Sequence, residues 1–95
     1  PTSTNQRLSS AHLSLVWGRA HRGGGCAVVI SKKVARRSVD RHLLKRRLMA
    51  LLLPWCSADH YFVVYARTGA KELPFHTLSH ELEGLLMKTG RSVAQ

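Results

Sequence analysis

SKKVARRSVDRHLLKRRLMALLL, residues 31–53, is where the fold and the partner are both decided. Eight of its first seventeen residues are lysine or arginine, against one acid, Asp40, and the chain then turns abruptly to leucine. Leu44, Leu48, Leu51, Leu52 and Trp55 keep the i, i+4, i+7, i+8, i+11 spacing of one buried stripe, which predicts a helix over 35–53. Pro54 is its natural stop. On a wheel of about 100° per residue centred on Leu44, Arg41 falls at about 60°, Lys45 at about 100° and His42 at about 160°, with Arg46 further round. These cations form a shoulder beside the leucine stripe, bordering the groove between helix and sheet, where they are placed to grip backbone phosphates. Val39 and Leu43, at about 220° and 260°, fit neither the stripe nor the shoulder.

Outward from the helix, the chain alternates strand and helix patterns. AHLSLVW, residues 11–17, puts Leu13, Leu15 and Trp17 on one face and His12, Ser14 and Val16 on the other, the period of two of a half-buried strand. GRAHRGGG reads as a loop and CAVVIS, residues 26–31, as a buried strand. These two strands are expected to pair as a hairpin. HYFVVYA, residues 60–66, is a near-continuous apolar run, as in a central strand, and Arg67-Thr68-Gly69-Ala70 turns the chain. A last helix is expected over 74–88, with Pro74 in its first turn, Gly90 as its cap, and Phe75, Leu78, Leu82, Leu85 and Leu86 on its apolar face. Residues 1–10 read as a flexible lead or short edge strand, and RSVAQ as a frayed tail. Strand, helix and strand over 26–66 imply a parallel pair joined by a crossover helix. The expected fold is therefore α+β: one domain over residues 1–95, core about 8–88, in which helices lie against a mixed sheet of three to four strands.

Length and composition suit one modest core: 95 residues, 44% hydrophobic. The formal net charge is +10 and the pI about 10.9. So lopsided a balance points to an anionic partner, nucleic acid first and anionic membrane second. A merely solvated helix face would interleave more acids. No apolar run is long enough to cross a bilayer, and no signal peptide is evident. The start at Pro1 reads as a processed or trimmed product. Cys26 and Cys56, far apart and without a C-x-x-C pattern, read as free thiols of a reducing compartment, with a disulfide as the lesser alternative. His76 and His80 have a metal-compatible i, i+4 spacing, but nothing completes a ligand set, so they read as surface histidines. The acids are Asp40, Asp59, Glu72, Glu81 and Glu83. That is too few, and too scattered, for a two-metal nuclease. With no P-loop, nucleophile elbow or Cys–His pair, the residues describe a binder rather than a catalyst.

The stretch VVISKKVARRSVDRHLLKRRL resembles the signature of the bacterial ribonuclease P protein component: a strand ending V-S-K-K, then a basic helix carrying R-N-R-x-K-R. Ser31, Lys32 and Lys33 match the first part, and Arg41, Lys45 and Arg46 match R, K and R of the second. The family asparagine is His42 here, which keeps hydrogen-bonding capacity, and the second arginine is Leu43, which does not. YFVVYARTGAKELPFHTLSHELEGLL resembles the family's next strand, A-R-x-G-A turn and last helix, and LSSAHLSLVW its strand leading into a cleft. The resemblance spans roughly residues 8–88. Nothing in PTSTNQRLSS resembles the aromatic-bearing helix that precedes the first strand in the family.

The resemblance implies a small two-layer sandwich with a left-handed β-α-β crossover, against the usual right-handed preference. It implies the protein cofactor of a ribozyme, in a cytoplasmic setting, with hydrolysis performed by the RNA subunit and its Mg²⁺ and no organic cofactor. Lys32, Lys33, Arg36, Arg37, Arg41, His42, Lys45 and Arg46 would bind that RNA. His12, Ser14, Val16 and Ser31 would line the cleft for the single-stranded 5′ leader of precursor tRNA. The alternatives are a ribosomal-type structural RNA-binding protein, a membrane-surface domain and a stand-alone nuclease.

Overall fold

The structure is a computed structural model that describes residues 6–19, 24–56 and 60–89. Four strands form one sheet: β1 (Gln6–Ser9), β2 (Leu13–Arg19), β3 (Gly25–Val29) and β4 (His60–Ala66). Two helices, α1 (Ser38–Leu52) and α2 (Phe75–Met87), cover one face. The strand order is β1-β2-β4-β3. β1 and β4 run antiparallel to β2, while β3 runs parallel to β4, with α1 in the crossover between them. The expected mixed sheet and parallel pair are present. The expected hairpin is not: β4 inserts between β2 and β3, and β2 takes the short polar strand β1 as its other partner. The expected frayed tail, the cap at Gly90 and most of the glycine loop lie outside the described residues.

Alternation sets which face is covered. Leu13, Leu15 and Trp17 of β2, Phe62 and Val64 of β4 and Val28 of β3 point to one side. There they meet Leu44, Leu48 and Leu52 of α1 and Leu78, Leu82, Leu85 and Leu86 of α2 in one cluster. Burying such side chains, each stabilising by roughly 1.5–3 kcal/mol, is what fixes both helices on the sheet. Phe75 does not join the cluster. It is the first residue of α2 and is 45% exposed, because the helical stripe begins a turn later, at Leu78.

α1 starts at Ser38, three residues later than its periodicity suggests. The cause is a side chain: Arg41 Nη1 donates to the carbonyls of Ala35 (3.0 Å) and Arg36 (2.8 Å), so these two do not serve helical amides. Residues 31–37 form turns instead, with the Ser31 carbonyl accepting from the amides of Val34 and Ala35. At its other end α1 passes into a 3₁₀ turn, Leu53–Trp55, that contains Pro54. The cysteines then meet: Cys26 on β3 and Cys56 after that turn, 6.0 Å apart at Cα, are joined as a disulfide. The reading of both as free thiols is corrected. Their partnership follows from the packing of α1 across β3, which sequence spacing does not reveal.

Candidate nucleic-acid interface

The cationic cluster occupies two elements. Lys32, Lys33, Arg36 and Arg37 are exposed on the loop before α1, and His42, Lys45 and Arg46 are exposed on the helix itself. Arg41, half-buried, ties the two together through its bonds to the loop carbonyls. Arg41, His42 and Lys45 line an open pocket of about 190 Å³ with Val28 and Ile30. Lys32, Lys33 and Arg36 line a second, wider hollow of about 490 Å³. The shoulder beside the leucine stripe therefore borders an open pocket with an apolar floor of Val28 and Ile30 and cationic walls. The acid nearest in sequence, Asp40, is held away by Lys71, whose Nζ lies 3.2 Å from Oδ2. Val39 and Leu43 stand exposed on the outer side of α1.

The face of the sheet opposite the helices carries no covering element among the described residues. Ser14, Val16 and Gly18 of β2, Tyr61, Val63 and Tyr65 of β4, and Gly25, Ala27 and Val29 of β3 lie in register across it, with Arg7 and Ser9 of β1 at its margin. The Tyr61 ring lies across Gly18, where an added Cβ would stand 2.7 Å from the phenolic oxygen, so no larger residue fits there without displacing the ring. The Arg7 guanidinium stands 5.8 Å from the centre of the Tyr65 ring, a cation–π pair exposed to solvent. Sequence reasoning missed Arg7, Tyr61 and Tyr65. Their signal, aromatics at alternate positions of HYFVVYA, is hidden by the equally apolar core positions between them.

The four cleft residues expected from sequence divide. Val16 lies on the open face, as does Ser14, which is 7% exposed and shares a hydrogen bond of 2.9 Å with Ser9 Oγ. Ser31 is exposed at the mouth of the basic loop. His12 precedes β2 and is drawn to α2 instead: its Nδ1 donates to Glu81 Oε1 at 3.0 Å, and its backbone amide to Oε2 at 2.7 Å. Ser10 Oγ donates to the same carboxylate. Partial burial raises the Glu81 carboxyl, but the bonds from Ser10 and His12 outweigh it and hold the group below the ordinary glutamate value. Beside His12 the A-R-x-G-A turn closes with Gly69 at φ +97°, a left-handed conformation favouring glycine. An added Cβ there would also meet the imidazole at 2.9 Å.

No group of three or more His, Cys, Asp or Glu side chains gathers as a metal site among the described residues. Nor is any described helix long and apolar enough to cross a membrane. His76 and His80 are exposed.

A small two-layer α+β body with a cationic groove on one side of its sheet and an aromatic face on the other defines a class: a basic protein shaped to meet a polyanion. The comparisons with known proteins make the class specific. Residues 2–90 match the Ribonuclease P family profile. The ribonuclease P protein component of Microcystis aeruginosa is 32% identical over 93 residues, covering 90% of this chain and 78% of that one. Among solved structures, the RNase P protein of Staphylococcus aureus superposes with a TM-score of 0.77 at 16% identity, over 90% of this chain and 81% of that one. The protein from Thermotoga maritima gives 0.73 at 17%, over 88% and 83%. The chain belongs to the ribonuclease P protein family. It is the protein subunit that works with an RNA in tRNA 5′ processing, accessory to a ribonucleoprotein endoribonuclease.

Proposed function

We propose that this subunit holds ribonuclease P RNA along the groove of Lys32, Lys33, Arg36, Arg37, Arg41, His42, Lys45 and Arg46, and carries the single-stranded 5′ leader of precursor tRNA across the open sheet face. One observation supports the pairing of these two tasks. β3 is an edge strand whose Val28 floors the basic pocket while its neighbours Ala27 and Val29 belong to the open face. A catalytic RNA on one side of that strand and its substrate on the other would be brought within a strand's thickness of each other. The leader is a suitable occupant of the face because unpaired bases stack on aromatic rings while an arginine meets the backbone. Tyr61, Tyr65 and Arg7 supply those groups beside Val16 and Ser14. Hydrolysis and its Mg²⁺ belong to the RNA in this reading, since the acids nearest the groove and the cleft, Asp40 and Glu81, are already engaged by Lys71 and by Ser10 and His12. The RNA partner is also what supports a cytoplasmic setting, and the whole chain is taken to act as one domain.

The test compares precursor tRNAs with and without a leader, bound to the reconstituted ribonucleoprotein. The leader is expected to tighten binding, and Tyr65→Ala to abolish that gain by about five- to a hundredfold while leaving assembly with the RNA intact. Affinity that ignores the leader, or a gain that survives Tyr65→Ala, would remove the open face from substrate binding.

A further inference from the structure

Val39, Leu43 and Arg47 stand four residues apart on α1 and form one row along its outer side, about 12 Å long. Val39 is 67% exposed and Leu43 45%. The row ends at the start of α2, where the Arg47 guanidinium lies 6.0 Å from the centre of the Phe75 ring, itself 45% exposed. The row lies beyond Arg46 from the pocket of Arg41, His42 and Lys45, because Lys45 and Arg47 point to nearly opposite flanks of the helix, about 200° apart. It also differs in chemistry. The groove sets cations around a floor of β3, whereas this row offers two aliphatic side chains, a guanidinium plane and an aromatic ring, all open to solvent. The one acid of α1, Asp40, has its charge offset by Lys71.

We infer that Leu43, Arg47 and Phe75 form a second RNA contact, which receives an unstacked base of ribonuclease P RNA. The inference rests on the RNA-binding reading above. Charge selects the occupant: a second copy of this chain would bring another +10 to a strip that contains Arg47 and borders Arg46, whereas RNA brings the opposite sign. The exposed ring and guanidinium select the part of the RNA, since bases splayed from loops and bulges stack on aromatic rings and arginine planes, and those within a helix are not free to. Leu43 then has a use that no phosphate contact would give it, as a packing surface for the edge of the base or its ribose.

The experiment measures binding of the full chain to ribonuclease P RNA over a range of salt, for the wild type, Phe75→Ala, Leu43→Ser and Phe75→Trp. Because both altered positions are exposed, thermal melting is expected to stay near wild type, which keeps folding out of the comparison. Phe75→Ala is expected to weaken binding about five- to a hundredfold with the salt slope unchanged, because no phosphate contact is lost. Leu43→Ser should weaken it in the same way but less, and Phe75→Trp should bind as the wild type does. Wild-type affinity for Phe75→Ala, with RNA binding otherwise intact, would overturn this contact alone. So would a wild-type dimer in sedimentation that Leu43→Ser dissociates. A wild type that does not bind the RNA at all would overturn the reading beneath it as well.

Discussion

Replacing Arg41 should harm RNA binding more than replacing Lys45, although each removes one positive charge from the same pocket. Lys45 is an exposed cation for which the structure gives no partner-dependent task, so Lys45→Ala removes one phosphate contact. The slope of log K against log salt should fall by about 0.7–0.9. Arg41 also fastens the loop. Its Nη1 bonds at 3.0 and 2.8 Å hold the carbonyls of Ala35 and Arg36, and that loop carries Lys32, Lys33, Arg36 and Arg37. Arg41→Ala therefore removes one contact directly and loosens four more cations, and its slope should fall by about 1.5 or more. The two lost hydrogen bonds, partly open to water, should lower stability by about 1 kcal/mol, or about 4–8 °C in melting temperature. Arg41→Lys keeps the charge, but its ammonium ends one bond short of the Nη1 that reaches both carbonyls, and it should fall between the two. Filter binding to ribonuclease P RNA between about 50 and 200 mM salt reads all three slopes. Equal slopes for Arg41→Ala and Lys45→Ala, with Arg41→Lys at wild-type level, would refute the fastening role.

Leu48 is wholly buried between sheet and helices, and Leu48→Ala should cost about 2–5 kcal/mol by leaving a cavity; a thermal shift equivalent to well under 1 kcal/mol would mean that the helix packs by another face. The Cys26–Cys56 disulfide closes a separation of 30 residues, so reduction, or Cys26→Ser with Cys56→Ser, should cost about 2–4 kcal/mol. An unchanged melt on adding reductant, with two thiols titrating before it is added, would contradict the bond. Glu81 has its carboxyl held low in the folded chain, so its contribution to stability is present above the unfolded value of about 4.3 and is lost as the pH falls through the folded value. Urea unfolding at pH 7 and pH 3 should therefore show a smaller pH difference for Glu81→Gln than for the wild type, and equal differences would disprove the assignment.

Much of this architecture is legible in the residues. HYFVVYA is bounded as read, and α2 lies within one residue of its expected ends. The parallel pairing of β3 with β4 follows from a strand, a helix and a strand in order. What sequence conceals is long-range. The hairpin expectation treats neighbours in the chain as neighbours in space, and QRLS is too polar to announce itself as the partner that β2 takes instead. The start of α1 is set by a guanidinium reaching back five and six residues, which periodicity cannot register. Cys26 and Cys56 meet because a helix crosses a strand, and Phe75 is left outside because the covering ends before it. At the interface, the basic cluster is visible as composition, but its division into a loop and a helix joined by Arg41 is not. His12 shares the alternation of β2, and the family resemblance makes it a cleft residue, but Glu81, sixty-nine residues away, draws it to the other layer.

Reconstitution is the most direct test of the account. The chain is mixed with a bacterial ribonuclease P RNA and a precursor tRNA at low Mg²⁺, and release of the 5′ leader is followed with and without protein. The account predicts that the protein stimulates cleavage over RNA alone, that Arg41→Ala with Lys45→Ala loses the stimulation, and that the protein without RNA cleaves nothing. Cleavage that proceeds at the RNA-only rate while the protein is bound would contradict it, as would cleavage by the protein by itself.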